Sequence, residues 1–600
     1  MDKYKSRCDV PDKYKWDLTD YFADDKDFNK SFTSASSLVD ELPSYVGCTK
    51  DAGKLYEFLN KDILAMSLVE RLYIYAYLIN DQELGNSINM ERKSKCEKLL
   101  NKYTVNTSFF NSELLRLSTS EYDKLFIDNK SLNEYKFGLD EIYRKKEHIL
   151  SEDKEVIIAN LNEAMNHFED MSSTMLNSEH KYGEVEINGE KEAITTTNLR
   201  RLLKNDDRNL RKTVRDKFNS TLGNYLVSSA QFLNGYVNAN NCNSKVHNYR
   251  DAWDEHVDDL HLNDKIYDTL VKNVEDNVSS LQRYFKVFKS RLGVDELHQY
   301  DLNMDMAKCN HEYSIEDAQE LCLNAIKPLG EDYVNHFKKV FDNHYIDYAQ
   351  YPSKCSGGYS FAPLDRNSRI LMSYNYDLDS VSTIIHEGGH NVHHQYISEH
   401  NKIQDVEVSS LVSEVASLTN ECLLSNYLAN NGSSKEEKLA GISNILNVIV
   451  SNLYGAVREG KMEREFNNLV VEGNSITKDY MNKLTYDSLV KYYGDSVVLD
   501  DYSGYSWALR SHYYMDYYLF NYSFCISVAC NVAREIINGN KDMLNRYLRF
   551  LSTGGNTLPL DAFKILGVDL SDDSVYINAI KYFNEMLDKF IEIGGDLNGK

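Results

Sequence analysis

His386, Glu387 and His390 stand in the string DSVSTIIHEGGHNVHHQYI with the spacing HExxH. Residues four apart lie on one face of a helix, so two imidazoles can reach one cation while the carboxylate between them stays free beside it. Zinc accepts neutral imidazole nitrogens and a carboxylate, keeps a position open for water, and lowers the pKa of that water toward about 7. A carboxylate next to the ion can then remove the proton as attack begins, and Glu387 is placed for that task. The chemistry implied is hydrolysis by metal-activated water. The competing reading is an exposed helix that happens to carry two histidines, so the surrounding elements must decide.

Upstream, SYNYDLDSVSTII offers Asp379 or Ser380 as an N-cap and Val381, Ile384 and Ile385 as a buried stripe, which predicts a helix through the motif. Gly388 and Gly389 fall inside that helix, where each disfavours the helical state by roughly 1 kcal/mol relative to Ala. Glycine at such positions predicts a close approach to the backbone, by bound substrate or by a packed neighbouring helix.

A third ligand is required. A metzincin would have glycine at 393 and histidine at 396; the chain has His393 and Tyr396, which excludes that class. His394 continues the same face, but three ligands in a row on one helix would crowd one side of a tetrahedral ion. Downstream, VEVSSLVSEVASLTNECLL places Val408, Leu411, Val412, Val415, Leu418 and Cys422 at helical spacing, a second amphipathic helix. Glu407, Glu414 and Glu421, seven apart, form one stripe on it. A solvated face is the plain reading of such a stripe. A helix packed beside the histidines would instead aim one of these acids at the ion, and spacing alone leaves open which.

HEGGHNVHH followed by VSEVASLTNE resembles the HExGH and EVAS-like pattern of oligoendopeptidase F, within the thimet-type oligopeptidase group of zinc metallopeptidases. The resemblance selects Glu414 as the third ligand, with His386, His390 and water completing the shell of one Zn2+ per chain. It extends over most of the chain, through KYKWDLTDYF at 13–22, YRKKEHILSEDKEVII at 143–158, LGVDELHQYDL at 292–302 and SGGYSFAPLDRNSRILMSYN at 356–375. WALRSHYYMDYYLFNYSF at 507–524 is similar to the family's histidine- and tyrosine-rich segment. By that similarity His512, Tyr514 and Tyr518 face the substrate and steady the tetrahedral intermediate, where one added donor is worth roughly 3 kcal/mol. An aromatic core helix is the alternative for this segment. Two departures stand out: Gly388 lies where the family usually has a larger apolar residue, and Phe520 where a tyrosine is common.

Around residue 358 the chain can be read without the family. Gly357 and Gly358 precede Tyr359 in a loop, and Ile370, Leu371, Met372 and Tyr374 form a short apolar run that predicts a strand. An edge strand beside the ion would hold an extended peptide by main-chain hydrogen bonds, making Gly358 and Tyr359 candidate substrate-binding positions. An ordinary buried strand is the alternative.

With 6 prolines and 28 glycines in 600 residues and recurrent amphipathic stretches, the chain predicts a mostly α fold with little β structure. YGEVEINGEKEAITT carries Asn188-Gly189 between alternating stretches, a hairpin signal. No linker, repeat or low-complexity tract divides the chain, and the expected organisation is an N-terminal helical lobe over 1–200 and a catalytic domain over 201–600. The resemblance implies a helical zincin-type fold with a small sheet by the active site and a deep channel between lobes. The balance of 67 basic and 92 acidic residues, net −25, argues against nucleic acid as a partner. Ten scattered cysteines without a CxxC pair predict reduced thiols, and the absence of a signal-peptide core or an uninterrupted apolar run of 18 residues predicts no membrane segment and a cytoplasmic location. The function expected is a zinc endopeptidase acting on short unfolded oligopeptides. A zinc exopeptidase of carboxypeptidase or aminopeptidase type, and an inactive peptide-binding homologue, are the alternatives.

Overall fold

In the computed structural model, residues 4–151, 154–155, 157–158, 167–179 and 181–595 are described; helices carry most of them, and five short strands form two small sheets. Of the landmark at 143–158, residues 152, 153 and 156 lie outside the described residues. The chain forms two compact units, each assembled from three segments. The first comprises Met1–Ile149, His311–Leu424 and Glu535–Gly567, the second Leu150–Asn310, Ser425–Arg534 and Val568–Lys600. The boundary expected near residue 200 falls inside the second unit. Interleaved segments are joined by contacts far apart in sequence, and such contacts leave no linker for composition to reveal.

In the first unit a three-stranded sheet has the order β3–β5–β4, with β3 at Ile346–Ala349, β4 at Tyr359–Phe361 and β5 at Arg369–Tyr374. β5 pairs with β3 in parallel and with β4 antiparallel. The apolar run at 370–374 is therefore the central strand, and the edges are buried β3 and half-buried β4, the latter placed in a loop by the sequence. Two buried cations fix this sheet. The Lys354 ammonium donates to the carbonyls of Asp347, Ala349 and Met372 at 2.8–2.9 Å and pairs with the Asp347 carboxylate at 2.7 Å. It thus ties β3 to β5 just before the chain turns toward β4. Arg369 donates to the Asp17 carbonyl at 2.7 Å and pairs with Asp20, while the Tyr21 hydroxyl donates to the Asn367 carbonyl at 2.8 Å. The landmarks at 13–22 and 356–375, far apart in sequence, are thus one packed structure.

Three helices of the first unit follow from the same logic. The histidine helix, Leu378–His400, is capped by Asp377, whose carboxylate accepts from the Ser380 N–H and hydroxyl at 2.9 and 2.6 Å. The cap stands two or three residues before the positions expected from sequence. Val381, Ile384 and Ile385 are fully buried, as the apolar stripe predicts. The helix Gly330–Asp342 packs on one side of it, where the Phe337 ring lies 2.3 Å from the place a Cβ on Gly388 would take. The helix Ser410–Asn431 packs on the other, where a Cβ on Gly389 would meet the Ser417 Cα at 2.8 Å. Both glycines thus serve helix packing, and Phe337 fills the space that a larger residue at 388 would need. Buried Asn420 joins all three helices, donating to the Ile385 carbonyl at 3.2 Å and accepting from the Tyr333 hydroxyl at 3.0 Å. Glu407 precedes the first residue of the second helix and does not share its face.

In the second unit, β1 (Glu184–Ile187) and β2 (Glu190–Ala193) form the expected antiparallel hairpin, with Asn188 and Gly189 both left-handed at φ 52° and 87°. The helical run 435–471, though interrupted by charged residues, is long and apolar enough to cross a membrane by length and composition, and 61% of its most apolar stretch is buried inside the protein.

A methyl group at residue 389 would press on backbone that cannot swing aside. Gly389→Ala should therefore lower the unfolding temperature, because overpacking of about 1–3 kcal/mol outweighs the roughly 1 kcal/mol gain in helix propensity. A variant as stable as the parent in a thermal melt would show that the two helices have room to part.

Candidate active site

The histidine helix and the helix Ser410–Asn431 bring His386, His390 and Glu414 together. The Nε2 atoms of both histidines lie 3.4 Å from the same oxygen of Glu414. Among the described residues this is the one group of three or more His, Cys, Asp or Glu side chains close enough to hold a metal ion. Tetrahedral ligands with bonds of about 2.0–2.1 Å stand about 3.3 Å apart, so each imidazole nitrogen already stands from the carboxylate oxygen as two ligands of one small cation would, and all three donors lie within 4.8 Å of one another. His393 and His394, the other histidines of the motif region, are outside the group. His393 stacks on Phe550 with centroids 6.0 Å apart, and burial holds its pKa down at about 3.

Two of the three candidate ligands are oriented by a further side chain. The Ser417 hydroxyl donates to Glu414 at 2.9 Å. His386 Nδ1 lies 2.6 Å from Glu421, whose other oxygen accepts from the Ser382 hydroxyl at 3.3 Å. A carboxylate at Nδ1 keeps the proton there and leaves Nε2 free for an ion, the usual arrangement around a metal-binding histidine. The role of Glu421 is the part of the site that sequence reasoning missed. Its signal was the seven-residue spacing from Glu414: two helical turns separate an acid at the metal from an acid behind the histidine.

Electrostatics sort the three acids. Burial pushes the Glu414 carboxyl up, but hydrogen bonding and charge from His390, the charge of His386 and the Ser417 hydroxyl outweigh it and hold the group down at about 2. Burial disfavours the imidazolium of His386, yet the hydrogen bond and charge of Glu421, followed by the charges of Glu387 and Glu414, raise it to about 9 in the metal-free protein. Burial raises Glu387 above the ordinary carboxylate value, against the pull of the two histidines. An acid raised toward neutrality beside an ion is suited to exchanging a proton with water.

The main chain at Gly358 runs past this acid. A Cβ there would lie 2.8 Å from Thr383 Cγ2 and 3.8 Å from Glu387 Oε1, so only glycine lets the strand lead into β4 at this distance. Tyr359, first residue of that edge strand, has its hydroxyl committed to Asp81 at 3.0 Å, which leaves its main chain as what it offers a peptide.

His512, Tyr514 and Tyr518 belong to the second unit. His512 and Tyr518 form an aromatic triangle with Tyr522, with centroids 5.3–6.4 Å apart. Burial and then the charge of Arg510 lower the His512 pKa, and its Nδ1 is buried without a hydrogen-bond partner among the described residues. Tyr514 packs edge-on against Tyr236, 5.1 Å between centroids. Buried Phe520 lies against Gly460, its Cζ 2.6 Å from where a Cβ would stand, so a tyrosine hydroxyl at 520 would run into that helix.

The sequence profile described as Peptidase family M3 matches residues 201–582, and the one described as Oligopeptidase F matches 113–182. The chain belongs to peptidase family M3. An oligopeptidase, PepF, of Bacillus subtilis (strain 168) is 30% identical over 594 residues, covering 98% of this chain and 88% of that protein. Among solved structures, one from Chlamydophila abortus superposes with a TM-score of 0.89 at 24% identity, covering 98% of this chain and 100% of that one. Oligoendopeptidase-F from Enterococcus faecium does so with 0.73 at 24% identity, covering 95% and 100%. Membership makes the chain a metalloendopeptidase of the oligopeptidase type acting on peptides, and the cluster of His386, His390 and Glu414 meets the need of that chemistry for a metal site.

Two outcomes follow for the metal-free protein. His386 is raised from 6.5 to about 9, so its contribution to stability is full below about 6.5 and is lost as the pH rises through about 9. The unfolding temperature of the metal-free enzyme should fall over that window while that of the loaded enzyme does not, because an ion on Nε2 replaces the proton that would otherwise be lost there; parallel melts would refute this. Glu421→Gln should weaken metal binding about 10- to 100-fold in competition with a chelator, and unchanged affinity would deny Glu421 its orienting role.

Proposed function

We propose that the metal is zinc, one ion per chain, held by His386, His390 and Glu414, and that the enzyme cuts internal bonds of short unfolded oligopeptides. The observation that carries this is the 3.4 Å spacing of both imidazole Nε2 atoms from one Glu414 oxygen, since two imidazoles and a carboxylate at tetrahedral separation suit zinc with one position left open. Zinc, when bound, supplies Lewis-acid polarisation of the scissile carbonyl and lowers the pKa of water. Glu387 takes the proton of the attacking water and passes it to the leaving amine. Its raised pKa favours both halves of that exchange.

The peptide lies extended along β4, held through the main chain at Gly358 and Tyr359. Pairing of this kind ignores most side chains and accepts only unfolded segments. His512 and Tyr518 donate hydrogen bonds to the carbonyl oxygen as it gains charge, with Tyr514 a further substrate contact; these roles come from the family resemblance of 507–524. Burial lowers the His512 pKa, which favours the neutral imidazole as the donor. None of the ten cysteines is joined in a disulfide, which suits the reducing cytoplasm where we place the enzyme.

Metal analysis of the purified enzyme should find zinc near one per chain, and chelation should abolish cleavage of an internally quenched peptide blocked at both ends. Mass spectrometry should show two internal fragments; release of single terminal residues alone would reject endopeptidase action. Glu387→Gln should keep its metal and lose several orders of magnitude in kcat, whereas a near-parental rate would remove Glu387 as the base.

A further inference from the structure

Seven non-glycine residues among those described have positive φ, and only Asp516 and Tyr517, at 41° and 61°, are consecutive. L-residues avoid this region, and a pair of them persists only where surrounding contacts over-determine it. The pair sits between the turn Ser511–Tyr514 and the helix Leu519–Ile537, so it sets the path from His512 to Tyr518.

Four contacts hold it. The Asp516 carboxylate accepts from the Tyr236 hydroxyl at 2.9 Å and from the Asn240 amide. The buried Tyr517 ring stands edge-on to Trp253, 5.0 Å between centroids. The Tyr517 N–H donates to Glu463 Oε1 at 2.8 Å.

Glu463 is the unusual member. It lies on the helix Ala456–Val471 and is 1% exposed; among the described residues no cation pairs with it and its Oε2 has no hydrogen-bond partner. Burial, and after it the like charge of Asp516, push its carboxyl well above the ordinary range, against the pull of the Tyr517 N–H. An acid without a counter-charge in a dry interior disfavours folding, and an apolar side chain would fill the space better. What the acid offers in return is an acceptor for the N–H of a left-handed residue.

We propose that Glu463 is a positioning residue: by accepting the Tyr517 N–H it holds the left-handed Asp516–Tyr517 turn and so sets how His512 and Tyr518 present themselves to substrate. This rests on the reading of His512 and Tyr518 as substrate-facing donors. Glu463→Met removes the acceptor at similar volume. In the metal-loaded full-length enzyme it should lower kcat at least tenfold while KM stays within about twofold and metal content is unchanged. Glu463→Gln keeps a carbonyl acceptor and should recover most of the rate, which a requirement for the acid itself would not allow. Glu463→Asp draws the carboxyl back by one methylene and carries the same expectation as Met, should the Met variant not fold.

Tyr518→Phe separates the proposal from the reading beneath it. If Tyr518→Phe is slow and Glu463→Met is not, the positioning role is overturned alone. If Tyr518→Phe and His512→Phe both keep the parental kcat, the reading of the two donors fails and takes the proposal with it. Where both single variants are slow, the double variant Glu463→Met with Tyr518→Phe should be little slower than Tyr518→Phe; multiplied losses would overturn action through Tyr518.

Discussion

The site depends on how closely two helices approach. The helix that bears His386 and His390 can share an ion with Glu414 only if its backbone comes within side-chain reach of the helix Ser410–Asn431. Gly389 permits that, since any Cβ would meet the Ser417 backbone. Asn420 then locks the approach by bonding across it to the Ile385 carbonyl, which a helix leaves occupied by its own ladder yet still able to accept a second donor. Gly388 does the same on the opposite side, admitting Phe337. Two glycines in mid-helix lower its intrinsic stability, and the packing they allow on both faces offsets the loss.

Once the helices are that close, like charges must be kept apart in a partly dry place. Glu387, Glu414 and Glu421 all act on His386, and the two histidines are what make three neighbouring acids tolerable without a cation. The acids divide the work by surroundings. Glu414, between both imidazoles and a serine hydroxyl, stays ionised and suited to ligation; Glu421 spends its charge on Nδ1; Glu387, raised by burial, is left able to take up a proton. A metal ion entering such a site displaces the proton of His386, so metal binding and folding are coupled through the same group.

Much of this was legible in the chain. The HExxH spacing put both imidazoles on one helical face with Glu387 between them, and Asn188-Gly189 located the hairpin because that dipeptide adopts left-handed backbone at both positions. The glycines signalled a close approach, though not whether helix or substrate would fill the space. Other readings failed for physical reasons. Apolarity reports burial and not position, so the run at 370–374 could be read as an edge strand; it is the centre of its sheet, flanked by β3 and by the shorter, less apolar β4. Glu407 shared the seven-residue spacing but lies before the helix begins, and periodicity does not mark where a helix starts. The Asp377 cap was missed because Asp379 and Ser380 are equally good capping residues by type.

By itself, the sequence determined the donor types, their order on one helix and the chemistry open to them, because spacing along a helix is a local property of the chain. It also carried the family, through motifs spread over most of its length. Only the tertiary structure decided which of three evenly spaced acids would meet the histidines, which would stand behind one of them, and which strands would be edges. Those outcomes depend on the distance and rotation between elements separated in sequence, set by side chains such as Phe337, Ser417 and Asn420 whose contacts no local pattern encodes.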